Sequence, residues 1–333
     1  MGLKVLITGG AGYIGATAVR LLVKHGHEVT AFDNLSQGHR EAVPAQARLV
    51  IADLADRETL SALFKESKFD AVMHFAASAV VGESMKYPEK YFRNNVTNSL
   101  NLLECCAANK VSRFVLSSTA AIFGDPQTPL IEETAPKAPL NPYGESKLQV
   151  ESMLRWFQEI HGVRYAALRY FNVAGAWDGH GEHHDPETHL IPIVLQVAMG
   201  KRQTVSVFGS DYPTPDGTCV RDYVHIYDLA MAHLLVMEAL KERDALAYNL
   251  GNGNGFSVRH VIEAARKITG HAIPVIESPR RDGDPPVLVA SSVKIGKELG
   301  WKPKYATLES ILETAWEWHK AHPNGYGAAA SSR

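Results

Sequence analysis

A chain of 333 residues, 45% hydrophobic and 21% charged, is long enough to bury a large core, and its formal net charge of −2 offers no basic field for nucleic acid or an anionic membrane. Its three cysteines, the adjacent Cys105 and Cys106 and the distant Cys219, suit neither a disulfide framework nor a zinc motif and read as reduced core or near-core residues. The first strand opens at Lys4 and no apolar run approaches the length of a membrane span, so the expected location is cytoplasmic, without a leader or a membrane anchor.

The chain begins with an apolar strand, Lys4–Ile7, that runs into Gly9, Gly10, Gly12 and Gly15 and then into a helix carrying Ile14, Val19, Leu22 and Val23 at helical spacing. Glycines here permit a tight turn, close approach of a pyrophosphate, and packing of the new helix on the strand. The helix N-terminus adds unpaired N–H groups and a partial positive charge. A second strand, Glu28–Phe32, ends in Asp33, placed to accept hydrogen bonds from adenosine ribose hydroxyls and to repel a 2′-phosphate. The cofactor therefore reads as NAD rather than NADP.

Strands and helices then alternate, as in a parallel sheet with helices on both faces. The expected elements are a strand at 48–51, a helix at 57–65, a strand at 70–75, a long helix at 88–109, a strand at 113–118, a helix at 142–161 and a strand at 164–171. Strand ends at Asp53-Leu54, Phe75-Ala76-Ala77 and Ser117-Ser118-Thr119 would line the ligand crevice, with Asp53 toward adenine and the alanines leaving room for the cofactor backbone. From Gly175 to Pro186 the chain is rich in glycine, histidine and acids and reads as a solvated loop; it lacks the His-Glu-x-x-His arrangement, so no metal is expected. Helices at 227–241, 258–269 and 308–319 and a strand at 248–250 follow, and 325–333 reads as a flexible tail.

The chemistry centres on Tyr143-Gly-Glu-Ser-Lys147 and the hydroxyls of Ser118 and Thr119. Tyrosine and lysine at i and i+4 share a helix face, which brings the ammonium close to the phenol or to whatever the phenol touches. Lowering a tyrosine from about 10 to about 7 takes roughly 4 kcal/mol, of which one positive charge about 5 Å away supplies roughly 3 kcal/mol at an effective dielectric of 20. An oxidised nicotinamide would add the remainder, so Tyr143 is expected to act as a general base when both Lys147 and the cofactor are present.

On the glycine motif, Val81-Gly-Glu-Ser84, Asn94-Asn-Val96, Tyr143-Gly-x-x-Lys147, Arg169-Tyr-Phe-Asn172, Asp211-Tyr-Pro-Thr214, Asp216-Gly-Thr218, Val220-Arg-Asp-Tyr-Val-His225 and Pro279-Arg-Arg-x-Gly-Asp284, nearly the whole chain resembles the extended short-chain dehydrogenase/reductases, and among them the nucleotide-sugar 4-epimerases. The resemblance implies a doubly wound parallel (Rossmann) sheet over 1–174, with segments around 227–250 returning to it, and a smaller α/β substrate lobe over 175–324. It also implies NAD-dependent 4-epimerisation of UDP-glucose and UDP-galactose through a transient 4-keto sugar, in a homodimer built on the helices at 88–109 and 142–161 with Leu102, Met153, Trp156 and Phe157.

Carried over by position, Gly9, Gly12, Tyr13, Ile14, Gly15, Asp33, Asn34, Asp53, Leu54, Phe75, Ala76, Ala77, Asn94, Ser117, Tyr143, Lys147 and Tyr170 would contact NAD. Thr119, Tyr143, Phe171, Asn172, His189, Leu190, Phe208, Arg221, Tyr223, Arg281, Asp284 and Leu288 would contact the UDP-sugar, the arginines through its diphosphate. Thr119 is favoured over Ser118 as the catalytic hydroxyl by counting back from Gly124. Three rivals are weighed. A 4,6-dehydratase would need an acid pair where Ala120 and Ala121 stand, and a non-catalytic NAD-binding regulator would be expected to have lost Tyr143 or Lys147. A 4-epimerase of another UDP-sugar, an N-acetylhexosamine or a uronic acid, stays open.

Overall fold

The computed structural model describes residues 2–126, 128, 130–281 and 284–327; of the expected tail, residues 328–333 lie outside the described residues. Apolar side chains alternate along Lys4–Thr8: Val5 and Ile7 face one layer and Leu6 the other, all fully buried. Such a strand has to be covered on both faces, and it lies near the middle of a seven-stranded sheet in which every pairing is parallel. The strand order is Ala245–Leu250, Arg164–Tyr170, Arg113–Ser117, Ala71–His74, Lys4–Thr8, Glu28–Asp33, Arg48–Ile51. The order reverses beside Lys4–Thr8, which puts a crevice at the carboxyl ends of that strand and of Ala71–His74.

One face is covered by the helices Tyr13–Lys24 and Ile226–Ala239, through Ala18, Val19, Leu22, Leu229, Ala232 and Val236. The other is covered by Arg57–Glu66, Asn98–Ala108 and Pro142–His161, through Leu60, Phe64, Leu102, Leu103, Val150 and Leu154. Cys106 and Cys219 are buried, Cys105 is half-buried, and all three are free. Among the described residues no helix is long and apolar enough to cross a membrane.

The helix expected over 88–109 is one rod in three parts: Pro88–Tyr91, a π-helical stretch Phe92–Thr97, and Asn98–Ala108. The wider turns coincide with Asn94 and Asn95, and Asn95 is buried between Ser78 and Ser146. Periodicity alone could not locate that bulge, because the polar pair it serves comes from two other segments.

The remainder forms a smaller lobe with its own core, in which the helices Leu190–Ala198, Val258–Thr269 and Leu308–Ala321 meet through Val194, Leu195, Val261, Ile262, Ile311 and Leu312. Its four-stranded sheet runs Phe256–Ser257, Val220–Arg221, Val287–Ala290, Leu130–Ile131. The chain therefore crosses between the units more often than expected. Leu130–Ile131 pairs with the smaller lobe's sheet, whereas Ile295 and Trp301 return to the large core, where the Trp301 indole donates to the Asp228 carbonyl (3.0 Å). The loop at 175–186 also departs from expectation. His180, Gly181 and Glu182 are buried, because Gly181 lies flat against Trp318 of the last helix and the His180 ring reaches the Tyr13 carbonyl (2.8 Å).

Several histidines are buried as neutral rings. His74 lies between the hydroxyls of Thr8 (2.6 Å) and Ser99 (2.8 Å), and burial, with the Lys147 charge, pulls its pKa down to about 3. Burial likewise holds His225, stacked on Tyr305, at about 3 and His233 at about 4. Each takes up a proton near pH 6.5 when unfolded but refuses it when folded. Stability is therefore complete above that pH and is lost as pH falls toward the folded values, by at most about 1.4 kcal/mol per pH unit for each ring. Urea unfolding should give a clearly smaller free energy at pH 5 than at pH 7; a flat profile over that interval would contradict the neutral assignment.

Candidate active site

Gly9 takes up a left-handed conformation (φ 70°), and a Cβ there would stand 2.6 Å from the Ala76 nitrogen; a Cβ on Gly15 would stand 2.0 Å from the Gly9 carbonyl oxygen. These two glycines are required by the protein's own packing. Gly12 is different: an added Cβ would meet only the Gly9 carbonyl, at 3.4 Å, so internal contacts do not account for it. It is the N-cap of Tyr13–Lys24, a helix with no side-chain cap and no acid in its first turn, whereas Arg57–Glu66 is capped by Asp56. An open cradle before an uncapped helix N-terminus fits a dinucleotide pyrophosphate.

Asp33 secures this cradle from the neighbouring strand. One carboxylate oxygen accepts from the Ala11 N–H (3.0 Å) and the other from the Leu35 N–H (2.8 Å), which leaves lone pairs for ribose hydroxyls. The Asn34 amide donates to Asp53 (2.6 Å), joining the ends of two adjacent strands, and Leu54 is core. Phe75 packs on the His233 ring (4.7 Å), Ala76 and Ala77 are half-buried at the strand end, and Asn94 donates to the Ser78 hydroxyl (3.2 Å). Ile14 is half-buried against the large core. Tyr13 departs from expectation in its side chain, which donates to the Gly175 carbonyl (2.6 Å) and ties down the 175–181 loop.

Tyr143 and Lys147 lie on the helix Pro142–His161, started by Asn141, whose side chain accepts from the Gly144 N–H (2.8 Å). The facing strand ends at Ser117, and the next two hydroxyls diverge. Ser118 is buried and donates to Glu151 (2.7 Å), so it is turned away from Tyr143. The Thr119 hydroxyl lies beside the Tyr143 phenol and accepts from the Ala121 N–H (3.1 Å). Burial pushes the phenol's pKa up and the Thr119 hydroxyl pulls it down. Lys147 is buried and donates to the Ser117 carbonyl (2.8 Å) rather than to the phenol, and burial pulls its pKa down to about 8 against the opposing charge of Glu151. Ser117 and Tyr170 share a hydrogen bond beneath this group.

Two features escaped the sequence reading. Glu151 binds Arg169 through two hydrogen bonds (3.0 and 2.6 Å), both side chains being buried. Asp222, inside the quoted Val220–His225 motif, accepts from the N–H groups of Asn252 (2.8 Å), Gly253 (3.3 Å) and Ala290 (3.0 Å), yet burial pushes its pKa up to about 6. Counting along the chain reveals neither, because the partners are far apart in sequence.

The residues expected to contact the substrate fall into three groups, with Tyr223 apart from them. Phe171 and Leu288 pack together on Ala120, Ile122 and Phe123, immediately after Thr119, and Asn172 donates to the Asp222 carbonyl (2.9 Å). Arg281 stands over the Phe208 ring (4.0 Å), while Arg221, opposite Leu288 in the sheet register, is ion-paired with Asp284. Leu190 is half-buried in the small-lobe core, and His189, which precedes its helix without capping it, is bonded to Glu182 (2.5 Å). Tyr223 is buried in the small-lobe core.

The pattern of the NAD dependent epimerase/dehydratase family matches residues 5–251. A protein of Halalkalibacterium halodurans named UDP-glucose 4-epimerase is 50% identical over 327 residues, 97% of this chain and 98% of the relative. One of Streptomyces lividans with the same name is 51% identical over 324 residues, 97% and 98% of the two chains. The solved structure of UDP-glucose 4-epimerase from Brucella ovis in complex with NAD superposes with a TM-score of 0.92 at 43% identity, covering 95% of this chain and 98% of that one. The enzyme from Bifidobacterium longum in complex with NAD+ and UDP gives 0.92 at 36% identity, with 97% and 100% covered.

Removing one partner of a buried ion pair strands the other, at a cost of about 3–5 kcal/mol. Glu151→Ala should therefore lower unfolding free energy by about that amount, and Glu151→Ala/Arg169→Met should recover much of it. Denaturant titration of the three proteins checks this; a single variant as stable as the parent would refute the pairing.

Proposed function

The chain belongs to the NAD dependent epimerase/dehydratase family, and from that premise we propose how its own residues divide the work of 4-epimerisation. The reaction is the NAD-dependent interconversion of UDP-glucose and UDP-galactose through a transient 4-keto sugar. NAD, when bound, supplies the acceptor and the donor of hydride for C4 of the sugar. Gly12 and the following helical N–H groups would hold its pyrophosphate, Asp33 its adenosine ribose and Lys147 its nicotinamide ribose.

Tyr143 takes the proton from the 4-hydroxyl and later returns it, while Thr119 hydrogen-bonds the same oxygen; the observation that carries this assignment is that the Thr119 hydroxyl lies beside the Tyr143 phenol while the Ser118 hydroxyl is engaged with Glu151. Burial keeps the phenol protonated on its own, so the deprotonated form requires positive charge nearby, which Lys147 supplies from beneath the strand end. The keto sugar must present its other face before the proton returns. That turn demands a fixed nucleotide and a loosely enclosed sugar. Arg221, Arg281, Phe208 and Asp284 form the fixed end, and Phe171 and Leu288 give the sugar smooth apolar walls without an added charge.

The test is conversion of UDP-galactose to UDP-glucose by the purified protein without added NAD. Tyr143→Phe should lose roughly 10²–10⁴ in turnover with its circular dichroism unchanged. Retention of a tenth of the activity would overturn the assignment of the base.

The protein acts, in this reading, as a homodimer. Trp156 and Ile160, one turn apart on the helix Pro142–His161, are 51% and 69% exposed, and such an apolar stripe is what a symmetric helix pairing covers. Leu102 takes no part, being fully buried in the core, and Met153 and Phe157 also pack inward. Light scattering at micromolar concentration should give twice 36.5 kDa; a mass of 36.5 kDa would rule the dimer out.

A further inference from the structure

Eight residues of the loop before the helix Leu190–Ala198 contain Glu182, His184, Glu187 and His189. Sequence spacing gave no reason to expect a metal there, since the four do not lie on one helix face. In the fold their ligand atoms all lie within 4.8 Å of one another. The His184 Nδ1 atom stands 3.3 Å from Glu182 and 3.8 Å from Glu187, and His189 Nδ1 stands 2.5 Å from Glu182 and 3.8 Å from Glu187. We propose that this loop is a binding site for one divalent transition-metal ion of the zinc class, held by two imidazoles and two carboxylates.

Bond lengths of about 2.0–2.2 Å in a tetrahedron place neighbouring ligand atoms about 3.3–3.6 Å apart, and His184 Nδ1 stands at that spacing, to within a few tenths of an ångström, from Glu182 Oε1 and from Glu187 Oε2, the oxygen of Glu187 that no backbone N–H occupies. The donor set of two nitrogens and two oxygens suits zinc and its first-row neighbours rather than calcium or magnesium, which take oxygen ligands. An independent observation points the same way: His184 Nδ1 is sealed from solvent and makes no hydrogen bond, although it faces both carboxylates. A buried, unsatisfied imidazole nitrogen is costly, and a metal bond would satisfy it. Glu182 and Glu187 are both buried, so two like charges lie side by side where a dication would neutralise them, with the open side of the site at the exposed His189. The outer contacts are also in place, since Glu187 accepts from the N–H groups of Thr188 and His189 (2.8 Å each).

The position suggests what the ion does. The His184 ring packs edge-on against Tyr13, at the start of the cradle helix, and His189 immediately precedes the first helix of the smaller lobe. A metal here pins the connection between the two units, a structural role outside the proton-transfer group.

Protein stripped with a chelator, equilibrated with Zn²⁺ and freed of excess should retain about one zinc per chain by mass spectrometric metal analysis and melt at a higher temperature than the stripped form. Substituting Co²⁺ should give the intense visible bands of a four-coordinate ion. His184→Ala/Glu187→Gln should lower the retained zinc roughly tenfold or more and abolish both the cobalt bands and the zinc-dependent rise in melting temperature. His183→Ala, whose ring faces His39 instead (3.1 Å), should keep all three. Retention far below one ion per chain, or equal retention by the double variant, would overturn the site and leave the cluster a set of internal ion pairs.

Discussion

Glu151 is the point on which the catalytic half of the molecule rests. Its carboxylate receives Arg169 from the strand Arg164–Tyr170 and Ser118 from the end of Arg113–Ser117, and it stands one helical turn beyond Lys147. A single buried charge thus registers one helix against two adjacent strands. The pair is enclosed because apolar layers close over it, and enclosed charges tolerate little displacement. That rigidity is what sends Ser118 inward, leaves Thr119 to meet Tyr143, and keeps the Lys147 ammonium under the strand end.

A second buried carboxylate organises the other side. Asp222 gathers N–H groups from a loop at 252–253 and from the strand Val287–Ala290, and its own carbonyl receives Asn172. The residues flanking it, Arg221 and Tyr223, are thereby committed to opposite roles: one is paired with Asp284 in the small sheet, and the other is sunk in the core. The two residues part because the strand breaks at Asp222: Val220–Arg221 pairs with Val287–Ala290 in the four-stranded sheet, whereas Tyr223–His225 pairs with Asn172–Ala174 in a separate two-stranded sheet.

The cradle shows how far a glycine pattern carries. Gly9 and Gly15 are dictated by backbone contacts within the protein, and only Gly12 is left without an internal reason. The three look alike in sequence. Their separation required the positions of Ala76 and the Gly9 carbonyl, which belong to the folded chain. Tyr13 gives the converse lesson: its place in the motif suggested the cofactor, but its hydroxyl is used to hold Gly175.

The sequence by itself determined the elements whose signals are local. The alternation of strands and helices through the first half, the glycine turn, the acid ending the second strand and the Tyr143–Lys147 spacing all depend on residues within a few turns of one another, and they appear in the structure at nearly the expected bounds. What only the tertiary structure decided depends on partners distant along the chain. It chose between Ser118 and Thr119, buried a histidine-rich loop beneath Trp318, widened a helix at Asn95, and carried Leu130–Ile131 into the smaller sheet. Backbone periodicity reports which face of an element is apolar, but not which remote polar group will be enclosed with it. Buried polar groups must find their partners wherever the fold brings them, and those pairings set the geometry of the site.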